Sequence, residues 1–158
     1  MIKISILAIG KIKETDFAAA INEYKKRLSA FCELNVIEIK PERLPENPSE
    51  AEIEAALKAE EAAIISKIPK NAAVYPLGSE GRSFTSEAFA EKIGRHKDAG
   101  ENICFIIGGS HGLSESIKRK GETISFSSMT FPHRLFRVML LEQIYRAFTI
   151  NAGKKYHK

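Results

Sequence analysis

An α/β domain built on a largely parallel sheet, with helices on both faces, is the fold class this sequence predicts, and three observations predict it. Short, mostly continuous apolar runs recur five times along the chain. Segments with helical spacing of apolar residues separate them, the pattern of a sheet covered on both faces. The loops after the last three runs are rich in Gly, Ser and Thr, residues that let a ligand approach backbone groups closely.

The strand candidates are Ile2–Ile9, Leu34–Ile39, Ala72–Leu77, Ile103–Ile107 and Thr123–Phe126. Their continuous apolar character suits strands buried on both sides. The first helix places Phe17, Ile21, Tyr24 and Leu28 on one face. The second follows the Pro41–Pro48 loop, where Ser49 and Glu52 form a capping-box pattern ahead of Ile53, Leu57, Ile64 and Ile68. The third runs from about Thr85 to Ala99 with Phe89 and Ile93 inward, and a short fourth lies near Ser114–Arg119. The fifth is expected to start with Pro132 in its first turn and to reach about Ile150. Its apolar residues, from Leu135 to Phe148, wrap most of the way round. Such a helix is expected to pack on the sheet with one face and on a second subunit with another.

A length of 158 residues fits one domain spanning 1–158, and 44% hydrophobic with 28% charged residues excludes a disordered or fibrous chain. Cys32 and Cys104 match no zinc or redox spacing and read as reduced thiols. No metal is expected. The N-terminal apolar run is too short for a signal peptide, and no stretch approaches a membrane span, so a cytoplasmic location is expected. A net charge of +4 leans towards a polyanionic partner. Residues 41–61 are acidic, whereas Lys118-Arg119-Lys120, Arg134, Arg137, Arg146 and the tail Lys154–Lys158 load positive charge into the last third. Solvated basic residues without a ligand are the alternative.

In a parallel sheet, ligands bind beyond the C-terminal strand ends. The loops to inspect are Leu77–Arg82, Gly108–Leu113 and Phe126–His133. The chain has no G-x-G-x-x-G after its first strand and no G-K-[ST], which disfavours dinucleotide and ATP sites. A backbone-lined pocket for an uncharged adenosine fits better, with walls from Leu77, Ile107, Leu113, Phe126, Met129 and Phe131.

Four stretches carry a resemblance. Phe105–Leu113 (FIIGGSHGL), Ser125–His133 (SFSSMTFPH), Leu141–Phe148 (LEQIYRAF) and terminal Tyr156-His157-Lys158 closely resemble the RlmH family of the SPOUT class, bacterial methyltransferases of a pseudouridine N3 in large-subunit ribosomal RNA. The opening Lys3–Lys13, with its strand-Gly-Lys pattern, is similar to that family too, and the likeness covers essentially the whole chain. It implies an α/β trefoil knot, a homodimer, and an S-adenosylmethionine site, with S-adenosylhomocysteine as product. Carried over, the cofactor contacts fall on Leu77, Gly108, Phe126, Ser127, Ser128, Met129, Thr130 and Phe131. Ser128 stands where the family often has lysine, and His111 at a variable position. The implied substrate is 23S ribosomal RNA, at a pseudouridine in the helix-69 hairpin, within assembled ribosomes.

N3 of pseudouridine carries a proton that must leave before the nitrogen attacks a methyl group, so the site needs a base and in-line positioning. His133 and His157 are the candidate proton handlers. At the start of the last helix, His133 is expected to be held neutral by the helix N-terminus; a structural histidine bonded to a loop carbonyl is the other reading. Tyr156 is expected either to stack on the target base or to anchor the C-terminus. Tyr156 and His157 are expected to complete the partner subunit's pocket. Arg134, Arg137, Arg146 and Lys158 are candidates for RNA phosphates, although Arg146 is also placed to pair with Glu142. Lys118-Arg119-Lys120 reads as a solvated helix face that also attracts phosphate, and His96 and His111 read as surface residues. Two rival functions stay open: a non-catalytic RNA- or ribosome-binding protein, and a SPOUT methyltransferase with another RNA target.

Overall fold

The computed structural model describes residues 1–13 and 15–158. Strand β1 (Lys3–Ile9) is followed by α1 (Thr15–Leu28), β2 (Glu33–Ile39), α2 (Glu50–Lys67), β3 (Ala73–Ser83) and α3 (Ser86–Asp98). Then come β4 (Ile103–Ile107), α4 (Glu115–Lys118), β5 (Ile124–Ser125) and α5 (His133–Asn151). The strands form one sheet in the order β2-β1-β4-β3-β5. Every pairing is parallel. The parallel α/β layout read from the sequence is therefore present, and it matches the α/β knot that the resemblance implied.

Side chains alternate across the sheet as strand geometry requires. Ile4, Ile6, Ala8, Ile103, Phe105 and Ile107 meet α1, α3 and α5 on one face. Leu7, Ile9, Cys104 and Ile106 meet Ile64 of α2 and Ile117 of α4 on the other. Because both faces are covered, the strands read as continuous apolar runs instead of alternating ones. Cys32 and Cys104 belong to opposite layers, and burial pushes both thiols up to about 12.

The capping box of α2 is complete: the Glu52 N–H donates to Ser49 Oγ, and the Ser49 N–H donates to the Glu52 carboxylate. Thr85 caps α3 in the same way through the Ala88 N–H. Pro132 is the residue before α5, not part of its first turn; with ψ at 131° it is extended, and its carbonyl accepts from Phe136 N–H.

The largest departure from the sequence reading is β3. The stretch Gly78–Ser83 reads as loop, yet it continues the strand. It does so because β5 pairs with both ends of a curled strand, Leu77 and Arg82 each aligning with Ile124 across a bulge. The Arg82 N–H donates to the Thr123 carbonyl at 2.9 Å. No apolar pattern announces this pairing, since the partner lies some forty residues on. Where the same segment passes β3, a Cβ on Gly121 would lie 1.8 Å from the Val74 carbonyl oxygen, so only glycine fits.

Helix α5 packs against both α1 and α3. Leu140, Leu141, Ile144, Ala147 and Phe148 fill the core. The same helix buries Arg137 almost completely, at 1% exposure. Its guanidinium donates to Glu38 at 2.6 Å and to the Gly10 carbonyl at 3.0 Å. Burial alone raises the Glu38 carboxyl pKa; hydrogen bonds from the Ile12 N–H and from Arg137, with the cationic charge, override it and hold the pKa below 4.5. No helix among the described residues is long and apolar enough to cross a membrane.

Glu38→Gln is expected to cost about 2 kcal/mol in urea unfolding at neutral pH, because it weakens the pairing of a buried cation; partial exposure of Glu38 keeps the loss below that of a fully buried pair. A carboxylate with a lowered folded-state pKa gives its full stability above the unfolded value and loses it as pH falls through the folded one. The gap between wild type and Glu38→Gln should therefore close below pH 4.5. A gap that stays constant into acid would show that the ion pair contributes nothing.

Candidate active site

All strands run parallel, so the ends of β1, β3, β4 and β5 lie along one edge, and the three loops singled out in the sequence converge there. They line a cavity of about 290 Å³. Leu77, Ile107, Leu113, Phe126, Phe131 and Phe136 supply apolar walls, and Ser127 and Thr130 supply hydroxyls. Of the eight positions expected to contact cofactor, seven line this cavity; Ser128 is not among the lining residues.

The loop after β4 is folded tightly upon itself. Gly109 and Gly112 form an isolated bridge, and the Gly112 N–H donates to the Gly109 carbonyl at 3.1 Å. A Cβ on Gly108 would stand 2.5 Å from the Gly112 carbonyl oxygen. Glycine at 108 is thus what allows backbone groups to form one wall. In the following loop, Ser125 donates to the carbonyls of Ser79 and Ser127, and the Met129 N–H donates to Ser127 Oγ. These bonds tie the β3 and β5 loops together.

His133, the first residue of α5, lines the cavity. Its pKa lies below 6.5, first because it is partly buried and second because Arg137 stands near it. The shift has the direction that the sequence leads one to expect, but burial and a neighbouring cation cause it in place of the helix terminus.

Two charged residues at the cavity were missed. Lys118 pairs with Glu80 at 3.0 Å, and both line the pocket. Lys118 lies within a basic triplet that reads as a solvated face, and nothing in the sequence brings it to Glu80 nearly forty residues away. His96 was likewise read as surface. It lies half-buried between the Tyr75 hydroxyl and Glu101, bonding the tyrosine through Nε2 and the carboxylate through Nδ1. His111 is exposed.

The candidate phosphate ligands separate. Arg137 is buried against Glu38 and cannot reach a phosphate without abandoning that carboxylate, which corrects its reading as an RNA clamp. Arg146 pairs with Glu142 at 2.5 Å and contacts His157 Nδ1 at 3.0 Å, as the helical spacing allowed. Arg134 stands in the first turn of α5, and Lys158 is exposed at the chain end.

Tyr156 and His157 do not line the cavity of their own chain. The Tyr156 hydroxyl donates to Glu142 at 3.2 Å, and its ring packs edge-on against Tyr145 with Arg146 over its face. Burial, then Tyr24, pushes its pKa up to about 12. His157 bonds Glu87 through Nε2 at 2.7 Å. The tail is docked on α5 and α3.

A family profile described as "Predicted SPOUT methyltransferase" matches residues 2–157. The chain belongs to the SPOUT methyltransferase family. Among its relatives are two proteins called ribosomal RNA large subunit methyltransferase H from Clostridium botulinum. That of strain Kyoto is 50% identical over 157 residues, covering 98% of this chain and 99% of the relative. That of strain Langeland is 51% identical over 158 residues with the same coverage. The match to these relatives spans the segments that form all three cavity loops.

Gly108→Ala is expected to force the β4 loop apart and weaken S-adenosylhomocysteine binding at least tenfold in calorimetric titration. Unchanged affinity would show that the loop tolerates the displacement and does not shape the wall.

Proposed function

We propose that this chain methylates N3 of a pseudouridine in the helix-69 hairpin of 23S ribosomal RNA, using S-adenosylmethionine, as a cytoplasmic homodimer acting on assembled ribosomes. The observation that carries the reading is the convergence of three loops on one apolar, backbone-lined cavity in a chain whose full-length relatives are large-subunit ribosomal RNA methyltransferases. The residues present fit the cofactor. The cavity is close to the lower end of small-molecule sites. Its walls suit an adenine, its hydroxyls and exposed peptide groups suit a ribose, and no phosphate nest is needed because the molecule has no phosphate.

When bound, the cofactor supplies a methyl group on a sulfonium that departs as a neutral thioether. The chain's own residues do the rest. Leu77, Phe126 and Phe131 exclude water and fix the plane of the ligand, while Ser127 and Thr130 offer hydrogen bonds at its polar edge. We assign to His133, whose pKa is lowered by burial and by Arg137, the removal of the proton from N3 of the target base. Arg134 and Lys158 remain candidates for phosphate contacts.

Two features support a dimer whose partner completes the site. Met129, on the cofactor loop, is 72% exposed, an uncovered apolar side chain at the mouth of the cavity. A second groove of about 400 Å³, lined by Tyr24, Phe84, Val138 and Met139 among others, opens beside α5 and the docked tail. A partner seated there covers this apolar lining and brings Tyr156 and His157 of one subunit to the cavity of the other.

The deciding experiment is transfer of labelled methyl from S-adenosylmethionine to ribosomes of a strain lacking this protein, with ribosomes lacking the pseudouridine as control. Label in 23S RNA only when pseudouridine is present is the expected result. No label on either, with cofactor binding intact, overturns it and favours a binding protein or another RNA target.

Deleting residues 156–158 is expected to reduce transfer more than a hundredfold while leaving cofactor affinity and sedimentation as a dimer unchanged. Full activity would remove the tail from the site.

A further inference from the structure

The segment after β1 has no part in the cavity wall, yet three hydrogen bonds tie Gly10 and Ile12 to the rest of the protein. The Gly10 N–H donates to the Ile39 carbonyl at 2.8 Å, and the Ile12 N–H donates to Glu38 at 2.9 Å. The Gly10 carbonyl accepts from buried Arg137 at 3.0 Å. Gly10 itself sits at φ +104°, a conformation that favours glycine. Ile12 packs against the core, so the residues on either side of it, Lys11 and Lys13, face outward and are exposed.

This loop lies beside the candidate active site. A Cβ on Gly10 would come 3.4 Å from His133 Nε2, and His133 lines the cavity. Two other basic residues near the cavity are engaged within the chain: Lys118 with Glu80 and Arg137 with Glu38. Lys11 and Lys13 form no salt bridge with any described residue. Glu14 and Asp16 follow in the sequence and leave the stretch without net charge. Placement therefore carries the inference, not charge density.

We propose that Lys11 and Lys13 form a phosphodiester-binding site for the RNA strand that delivers its base to the cavity, presented by a loop that the Glu38–Arg137 pair holds in register with His133. The inference rests on the proposed RNA substrate. A base held next to His133 is joined through one ribose to its flanking phosphates, so they lie on the same side of the protein as the cavity, and lysines flanking the anchored Ile12 meet them with little ordering cost.

The test is binding to unmodified ribosomes across a potassium chloride series, comparing wild type with Lys11→Gln/Lys13→Gln. Each lost phosphate contact should reduce the slope of log affinity against log salt by about one, so the double variant should lose about two. Its affinity for S-adenosylhomocysteine and its melting temperature should match wild type, and Lys11→Arg/Lys13→Arg should restore most of the slope. An unchanged slope in the Gln variant overturns the site while leaving the RNA substrate standing. Cofactor affinity falling in step with ribosome affinity also overturns it, by placing the lysines at the cofactor. If wild type itself shows no salt-dependent ribosome binding, the substrate reading fails and the site with it.

Discussion

Parallel pairing constrains this molecule more than any single contact. With all strands in one direction, the loops after β1, β3, β4 and β5 meet at the same edge. The gathering of the cavity loops is thus a consequence of strand direction. Within the loop after β4 the backbone folds back so closely that Gly108 has no room for a side chain. Parallel pairing also explains why both faces of the sheet must be covered, and why α5, wedged between α1 and α3, is apolar over so much of its circumference.

Charge is distributed by the same logic. The chain is basic overall, but several of its cations are matched locally: Arg137 with Glu38, Lys118 with Glu80, Arg146 with Glu142. Only the first of these pairs has a fully buried cation, and it links three separate parts of the chain: the end of β2, the loop after β1, and the first turns of α5. Arg137 thereby acts on its surroundings in two ways. It fixes the Gly10 loop, and it adds to the burial that lowers the His133 pKa. A net-charge argument from sequence cannot distinguish such an internal strut from a cation offered to a ligand.

Much of the fold was legible because its signals are local. The capping box at Ser49 and Glu52, the stripe of Ile21 and Leu28, and the apolar run Ile103–Ile107 each depend on residues a few positions apart, and each appears where expected. The cavity loops were legible for a related reason: strand direction says which loops gather, and their Gly-Ser composition says what they are suited to do. The β3 extension, the Lys118–Glu80 pair and the Tyr75–His96–Glu101 chain were not, since each joins segments with no periodic relation to one another.

The sequence by itself determined the class of fold, the layering of apolar residues, the edge at which the cavity lies and, through four matching stretches, the enzyme family. Tertiary structure alone decided which charged residues are committed inside the protein and which are presented outward. Arg137 and Lys11 are both basic residues close to His133, one four positions along the same helix and the other in a distant loop. The first is buried because Glu38 meets it there; the second is exposed because Ile12 beside it takes the core position. Burial is a property of what the rest of the chain brings to a residue, and no window of sequence around that residue contains it.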